Sequence, residues 1–307
     1  MWTVGERRTS RKAPSRWAGA SEVLSCRQAV PSGEAMAIRF DDQTFDSVPR
    51  FLELVAQHRA CVEGELGAVP LWFRGHREED WKLETTLKRQ GIEPVREPEL
   101  LNRFRQNAAN YLGTQRPSDT SEWDWMFLMR HHGAPSRLLD WTESALIGLY
   151  FAVEQRPPRA DREARDVAGH VWVLLPTVLN AGCNVRDPDG EDDRTVPMFG
   201  VTPDSGLNIY ETRPVSRATL SSVAPAAGHG LRNFPRMEAQ QSTFTVHHAD
   251  QKPLEEWHDG LHVWRYSVPP GAKSGLRSEL RAAGINRLSL FRDLDSAAWV
   301  AEEAIHA

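Results

Sequence analysis

The first stretch of the chain whose residue types could bind a ligand is Phe73-Arg74-Gly75, at the end of a short apolar run that begins at Val69. A guanidinium held at a strand end can form two parallel hydrogen bonds to a phosphate or a carboxylate, and glycine lets a ligand approach the backbone. The tripeptide therefore predicts an anion-binding position. The alternative is a strand-end arginine that pairs with a surface acid.

The second stretch, residues 131–152, places ionisable, hydroxyl and aromatic side chains directly before a strongly apolar helix. Its candidate site residues are His131, His132, Ser136, Arg137, Asp140, Trp141 and Thr142, with Phe151 inside the helix. We expect Thr142 to cap that helix, and an anion or a ribose can bind beside the same N-terminus. Arg137 and Asp140 could instead pair with each other and pin the turn.

The adjacent histidines do not have the spacing of metal ligands. His131 and His132 point about 100° apart on a helix, and no His or Glu three or four residues away accompanies them. We therefore predict no metal site.

A third group precedes the predicted strand at 242–247. Glu238 and Gln240 would project to the same side of an extended segment. Such a pair can accept hydrogen bonds from a sugar hydroxyl and orient an attacking group, whereas the simpler alternative is a polar strand edge.

Hydrophobic periodicity and capping residues predict helices and strands that position these groups. Helices are predicted over 47–60, 97–113, 121–130, 142–153, 274–283 and 296–306. Strands are predicted over 69–73, 170–175, 242–247, 261–268 and 285–291, with a brief extended piece at 138–139 and a surface loop at 156–168. Helices dominate the first half and strands the second, which is an α+β pattern.

Composition limits the class of protein. The 307 residues have a net charge of −5, so any contact with nucleic acid needs a local basic surface. Three widely spaced cysteines argue against a disulfide framework, and no apolar run reaches the length of a membrane span. We expect a disordered leader over 1–35, a single domain over 36–307, no membrane contact and a cytoplasmic location.

Together these blocks resemble the FRG domain family. The matching positions are Trp72 to Gly75, His131 to Thr142, Leu149 to Ala152, Arg236 to Gln240 with Phe244, and Phe291 to Asp295. The chain departs from the family pattern at four positions, with Arg130 for glutamine, Ser136 for threonine, Ser242 for glycine and Arg292 for proline. The resemblance spans roughly residues 45–300.

The order of the blocks is also similar to that of arginine-type ADP-ribosyltransferases. This second resemblance implies a helical N-terminal half packed on a mixed, split β-sheet, with NAD as substrate. It implies NAD contacts from Phe73, Arg74, Gly75, His132, Ser136, Arg137, Trp141, Thr142 and Phe151. Arg74 would hold the pyrophosphate, and Trp141 or Phe151 would face the nicotinamide.

In that family a late glutamate is the catalytic acid, and the matching position here is Gln240. Glutamine can bond a ribose hydroxyl but cannot remove a proton, so Glu238 or Asp140 would take the acid's role. The implied acceptor is a macromolecule, with a nucleobase of DNA or RNA as one candidate. Its phosphates would meet side chains near Arg74, namely Arg77, Lys82, Lys88 and Arg89.

Two other classes of function stay open. The same pocket could bind a nucleotide or a partner without catalysis, or it could belong to a nuclease or NAD hydrolase that uses Asp140, Glu238 and the histidines. A transferase chemistry suits a role in toxicity or phage defence, although no residue indicates one. The sequence leaves the oligomeric state open.

Overall fold

A computed structural model describes residues 27–32, 35–113, 116–118, 120–155, 167–188, 194–217 and 223–306. The helices of these residues are α1 Val48–Leu66, α2 Thr86–Arg89, α3 Glu97–Ala108, α4 Glu122–His131, α5 Ala145–Val153, α6 Pro176–Ala181, α7 Thr212–Arg217, α8 Pro235–Ala239, α9 Lys273–Ala282, α10 Arg287–Phe291 and α11 Leu294–His306. The strands are β1 Arg27–Ser32, β2 Ala35–Arg39, β3 Gln43–Thr44, β4 Trp72–His76, β5 Leu138–Thr142, β6 Gly169–Leu174, β7 Ala226–Gly228, β8 Ser242–Val246 and β9 Val263–Val268.

Seven strands form one mixed sheet in the order β3-β9-β6-β4-β5-β8-β7, which confirms the α+β prediction. Only β3 and β9 run parallel; the other neighbours are antiparallel. Five residue pairs join β4 to β6, and five join β5 to β8. By contrast, β4 and β5 pair only at Phe73 and Thr142, so the sheet is split between these two strands.

Three apolar cores hold the sheet and its helices together. One lies between the β3-β9-β6-β4 half and helices α1, α5 and α9. A second packs α3 and α4 against β5, β8 and β7. The third covers the opposite face of the sheet, where Trp72, Trp141 and Trp172 are buried. Because side chains alternate along a strand, β4 and β5 each contribute to cores on both faces.

Helix α5 packs against β4 at backbone distance. A Cβ atom built on Gly75 would lie 2.2 Å from the Gly148 carbonyl oxygen and 2.3 Å from the Ala152 nitrogen. A Cβ on Gly148 would lie 2.7 Å from the Phe73 Cβ. The close approach that Gly75 permits is therefore to helix α5, whereas the sequence suggested an approach by a ligand.

Two local predictions are wrong. The predicted strand at 285–291 contains helix α10, because Asn286 and Ser289 form a reciprocal capping box that starts a helical turn. Thr142 is the last residue of β5, and the cap of α5 is Ser144, whose hydroxyl accepts a hydrogen bond from the Ile147 amide. The other predicted helices and strands are confirmed, with shifted ends.

Parts of two further predictions lie outside the described residues. Of the surface loop at 156–168, the structure describes only 167 and 168. Of the leader at 1–35, it describes 27–32, which form β1, and residue 35, where β2 begins; these two strands pair with each other. None of the helices within the described ranges is both long and apolar enough to cross a membrane.

A fully buried ion pair joins three parts of the fold. The Arg137 Nε lies 2.5 Å from Glu97 Oε2, and both side chains are inaccessible to solvent. The Arg137 backbone amide donates to Glu97 Oε1, and its guanidinium donates to the carbonyls of His247 and Tyr210. Arg137 thus ties α3, the end of β8 and the segment before α7 to the start of β5.

We expect Arg137→Met to lower the free energy of unfolding by about 3–5 kcal/mol, because the Glu97 carboxylate would stay buried without its cation. Urea unfolding measures this difference. The matched control is Arg103→Ala, which removes an arginine that is 76% exposed and pairs with Glu99 on α3. That change should cost less than about 1 kcal/mol, and equal losses in the two variants would contradict the assigned role.

We expect Gly75→Ala to lower the free energy of unfolding by about 2–4 kcal/mol, because the added methyl group meets helix backbone that has no rotamer to move. Gly275→Ala on α9 is the control, since its Cβ would meet nothing within 4 Å. There the loss of unfolded-chain entropy should stabilise the protein by about 0.5–1 kcal/mol. Denaturation curves that shift in the same direction would refute the packing account.

Candidate functional site

Arg74 extends from β4 to β5 across the split in the sheet. Its Nη1 donates to the Asp140 carbonyl oxygen at 2.5 Å and lies 3.8 Å from Asp140 Oδ2. Its Nε donates to His76 Nε2 at 3.1 Å, and His76 Nδ1 lies 3.2 Å from the Trp81 carbonyl oxygen. Burial, reinforced by the Arg74 charge, holds the pKa of His76 well below its ordinary value. This imidazole is therefore neutral, and its Nε2 accepts a hydrogen bond from Arg74. The Arg74 side chain is 14% exposed.

The Asp140 carboxylate binds a second arginine at the end of α4. Nη2 and Nε of Arg130 lie 2.5 Å and 2.9 Å from Asp140 Oδ2. Partial burial would by itself raise the pKa of Asp140, but the charge and hydrogen bonds of Arg130, with the charge of Arg74, hold it below its ordinary value. Asp140 is therefore ionised at neutral pH and is a weak proton acceptor. Its side chain is still 40% exposed.

Two further arginines complete a positively charged group, which we call the arginine cluster: Arg74, Arg89, Arg130 and Arg236 around Asp140. Burial lowers the pKa of Arg74 to about 10, Asp140 opposes that shift, and repulsion from Arg130 and Arg89 adds to it. Burial likewise lowers the pKa of Arg236, against the attraction of Asp140.

Acids near the edge of the arginine cluster reduce its surplus of charge. Glu84 attracts Arg89, and Asp293 and Glu154 attract Arg236. Arg74 and Arg130 both pair with the same carboxylate, Asp140. The centre of the cluster therefore has more guanidinium than carboxylate, which is the arrangement that binds a phosphate.

A third local prediction is wrong, because Glu238 and Gln240 do not lie on an extended segment: Glu238 is on helix α8 and Gln240 is the C-cap of that helix. This helix and the turn after it lie at the end of β5. Ser242 pairs with Thr142 across these strands, and the Glu143 amide donates to the Gln241 carbonyl. Of the two candidate side chains, Glu238 is 70% exposed, with Oε2 3.6 Å from Arg292 Nη1. Gln240 is half-buried and donates from Nε2 to the Leu290 carbonyl at 3.3 Å. Strands β4 and β8 flank β5 in the sheet. Arg74 lies on β4, and the segment with Glu238 and Gln240 leads directly into β8.

Five of the sequence-predicted site residues are buried in the fold: Phe73, Ser136, Arg137, Trp141 and Thr142. Phe73 packs in the core beneath α5, and the Trp141 indole donates to Thr245 Oγ1 at 3.1 Å. The Thr142 hydroxyl accepts from the Ser144 amide. These residues shape the site from beneath, and their polar groups are occupied within the protein.

Two predicted residues are accessible near the edge of the site. His132 is exposed at the end of α4, where its ring centroid lies 6.3 Å from that of Phe104. Phe151 on α5 is half-buried and meets Phe291 edge to face at 6.1 Å. Of the two aromatic residues suggested to face a ligand ring, only Phe151 retains solvent exposure beyond a few per cent.

Arg130 is the important residue that sequence reasoning did not include in the site. It stands where the FRG pattern has glutamine, ten residues before Asp140, and the intervening chain turns back on itself through Gly133 and Pro135. The spacing of helix or strand could not pair the two residues. The signal that was present is chemical, because a lone carboxylate on a largely buried strand needs a cation.

A separate cavity of about 460 Å³ lies at the opposite end of α4, lined in part by Arg105, Ser121, Glu122, Glu211 and Arg213. None of its lining residues belongs to the arginine cluster. Within the part of the chain that the structure describes, no group of three His, Cys, Asp or Glu side chains is placed to hold a metal ion.

Comparison with known proteins supports the first resemblance. The FRG domain family matches residues 69–161, a segment that includes β4, α4, β5 and α5. The match does not extend to Arg236–Gln240 or to Phe291–Asp295. No curated protein and no solved structure matches the chain. Residues 69–161 are therefore similar to an FRG domain, and the matched residues include Arg74, Arg130 and Asp140.

Proposed function

We propose that the protein binds NAD at the arginine cluster and transfers its ADP-ribose to a macromolecular acceptor. The observation that carries this proposal is the strand order β4-β5-β8. These neighbouring strands bear Arg74, the Asp140 to Thr142 block and the Glu238 to Gln240 loop, the three parts that resemble ADP-ribosyltransferases. The contact between Arg74 and Asp140 joins the first two parts across the split.

The arginine cluster suits a pyrophosphate. Each phosphate offers a pair of oxygens that a planar guanidinium binds with two parallel hydrogen bonds. Arg74 and Arg130 share one carboxylate oxygen, Asp140 Oδ2, so the pair keeps a surplus of positive charge that a phosphate would offset. In this arrangement Asp140 orients the two arginines, and the phosphate contacts come from the arginines.

The reaction breaks the bond between nicotinamide and C1′ of the ribose. The bonding electrons leave with nicotinamide, which departs neutral, and positive charge develops on the ribose. Glu238, an exposed carboxylate on α8, would stabilise that charge and accept the acceptor's proton as its nucleophile bonds to C1′. Gln240 would bind a ribose hydroxyl through Oε1, and Phe151 would face the nicotinamide.

The acceptor is assigned only as a macromolecule. A nucleobase of DNA or RNA would suit a weak general base. The segment 77–89, however, has four basic residues (Arg77, Lys82, Lys88, Arg89) and four acidic ones (Glu78, Glu79, Asp80, Glu84), so its charges sum to zero. That balance does not favour a nucleic-acid backbone over a protein surface.

A nucleotide-binding module without catalysis is the second candidate. It is favoured by Gln240 at the position of the catalytic glutamate and by the commitment of Asp140 to two arginines. Both candidates use the arginine cluster, and they differ in whether nicotinamide is released. An NAD hydrolase would release nicotinamide and leave no ADP-ribose on an acceptor.

We expect purified protein to bind NAD and to release nicotinamide without added metal, and to add ADP-ribose mass to an acceptor from a panel of protein, DNA and RNA. Arg74→Lys keeps the charge but removes the planar fork, and it should weaken NAD binding about tenfold to a hundredfold. Isothermal calorimetry measures binding and chromatography measures nicotinamide.

Arg103→Ala removes an exposed positive charge on α3, outside the arginine cluster, and is the control. This variant should bind NAD as the unmodified protein does. Binding without nicotinamide release under every acceptor would favour the non-catalytic module. Equal affinity of the Arg74→Lys variant and the unmodified protein would remove the arginine cluster from the proposal.

We expect Gln240→Glu to raise the rate of nicotinamide release at least about tenfold, since a positioned carboxylate contributes about 10²–10⁴ as a general base. Gln240 now donates a hydrogen bond to the Leu290 carbonyl. That carbonyl would repel the new carboxylate and turn it away from α10. Glu238→Gln should lower the rate on the order of a hundredfold.

Gln106→Glu adds the same charge to the exposed side of α3 and serves as the control. Steady-state kinetics at fixed NAD concentration compare the four proteins. A Gln240→Glu variant no faster than the Gln106→Glu variant would mean that this loop does not face the reacting bond.

A further inference from the structure

Three polar residues of α8 and its C-terminal end contact three successive residues at the end of α10, one each. The Arg236 guanidinium carbon lies 4.4 Å from the centre of the Phe291 ring. Gln240 Nε2 donates to the Leu290 carbonyl at 3.3 Å, and Glu238 Oε2 lies 3.6 Å from Arg292 Nη1. Arg236, Glu238 and Gln240 thus each have a contact to Leu290–Arg292, and Arg236 also donates from Nη1 to the His131 carbonyl at 3.4 Å.

The end of α10 is itself firmly attached to the fold. The Asn286 and Ser289 capping box starts the helix, and Phe291 is buried at the edge of the core beneath α5. Arg287 lies over the Phe291 ring at 4.5 Å and pairs with Glu154 at 3.1 Å. Since Glu154 follows α5 directly, α10 is anchored to the helix that packs on β4.

By contrast, α8 has one residue in an apolar core, Met237. It is a helix of five residues that begins without a side-chain cap, and most of its residues are not buried. Gln241, at its end, has a positive φ of 46°. An isolated helix of this length is not stable by itself, so its position depends on its neighbours. The Phe291 ring is the largest buried group among the α10 residues that contact it.

We propose that Phe291 is a positioning residue, which holds Arg236 in the arginine cluster and thereby fixes Glu238 and Gln240 at the end of β5. The catalytic part of this inference rests on the proposed NAD function, and the structural part does not. A guanidinium over an aromatic ring is stabilised by the ring's negative face, and the ring of Phe291 provides that face on a rigid support.

The first test is independent of any ligand. Hydrogen–deuterium exchange should be on the order of tenfold faster at the Glu238, Gln240 and Gln241 amides in Phe291→Met than in the unmodified protein. These amides donate within α8 and its last turn. Exchange in α9 should not change. Phe291→Tyr keeps the ring and should restore slow exchange, and Leu288→Ala, at an exposed position of α10, is the matched control.

The second test is the kinetics of nicotinamide release. Phe291→Met should lower kcat on the order of tenfold and raise KM for NAD by a smaller factor, because Arg236 is displaced while Arg74 and Arg130 still bind the pyrophosphate. Phe291→Tyr should recover kcat. Thermal unfolding confirms that each variant is folded, and Phe291→Leu replaces Phe291→Met if the latter does not fold.

The outcomes separate the two proposals. Unchanged exchange at residues 238–241 in a folded Phe291→Met variant would overturn the positioning role whether or not the protein cleaves NAD. Faster exchange in a protein that neither binds nor cleaves NAD would support the positioning role and remove the proposed function. A rise in kcat for Phe291→Met would also overturn the proposal, because α10 would then obstruct the loop.

Discussion

The close contact between β4 and α5 determines where β4, β5 and the Arg74 side chain lie relative to one another. Gly75 and Gly148 allow the strand and the helix to meet at backbone distance, and any larger side chain at Gly75 would meet main-chain atoms. Helix α5 follows β5 after only two residues. It therefore holds β4 at a fixed distance from the strand that precedes it, although those strands share a single residue pair. The FRG tripeptide is thus first a packing motif, and its arginine is placed by that packing.

Electrostatics then decides what the placed arginine can do. Asp140 offers Arg74 both its backbone carbonyl and its carboxylate, and it offers Arg130 the same carboxylate oxygen. One negative charge between two cations keeps both guanidiniums close together without neutralising them. The buried pair of Arg137 and Glu97 is different, because charge is matched one to one and solvent is excluded. Arg137 is therefore committed to holding the fold together, whereas Arg74 and Arg130 share a single, partly exposed carboxylate.

Much of the fold follows from local sequence signals, and the site does so only in part. Ser121 caps α4 as its position before Glu122 and Asp124 predicts, and the apolar run after Ser144 forms α5. Both signals act within one helical turn. The pairs Arg137–Glu97 and Arg74–Asp140 join residues 40 and 66 positions apart, and no period of helix or strand relates them. The apolar residues at 285–291 fit a strand equally well until the Asn286 cap is recognised. Trp141 and Thr142 point to opposite faces of β5, and both are buried because tertiary packing covers both faces.

The single pair between Phe73 and Thr142 gives the sheet a seam. Five residue pairs restrain two strands against sliding and rotation, whereas a single pair restrains rotation between β4 and β5 only weakly. The angle between the two halves is consequently governed by side chains and by the seat of α5. Small changes in the volume of those side chains would alter the solvent exposure of Arg74 while leaving every strand intact.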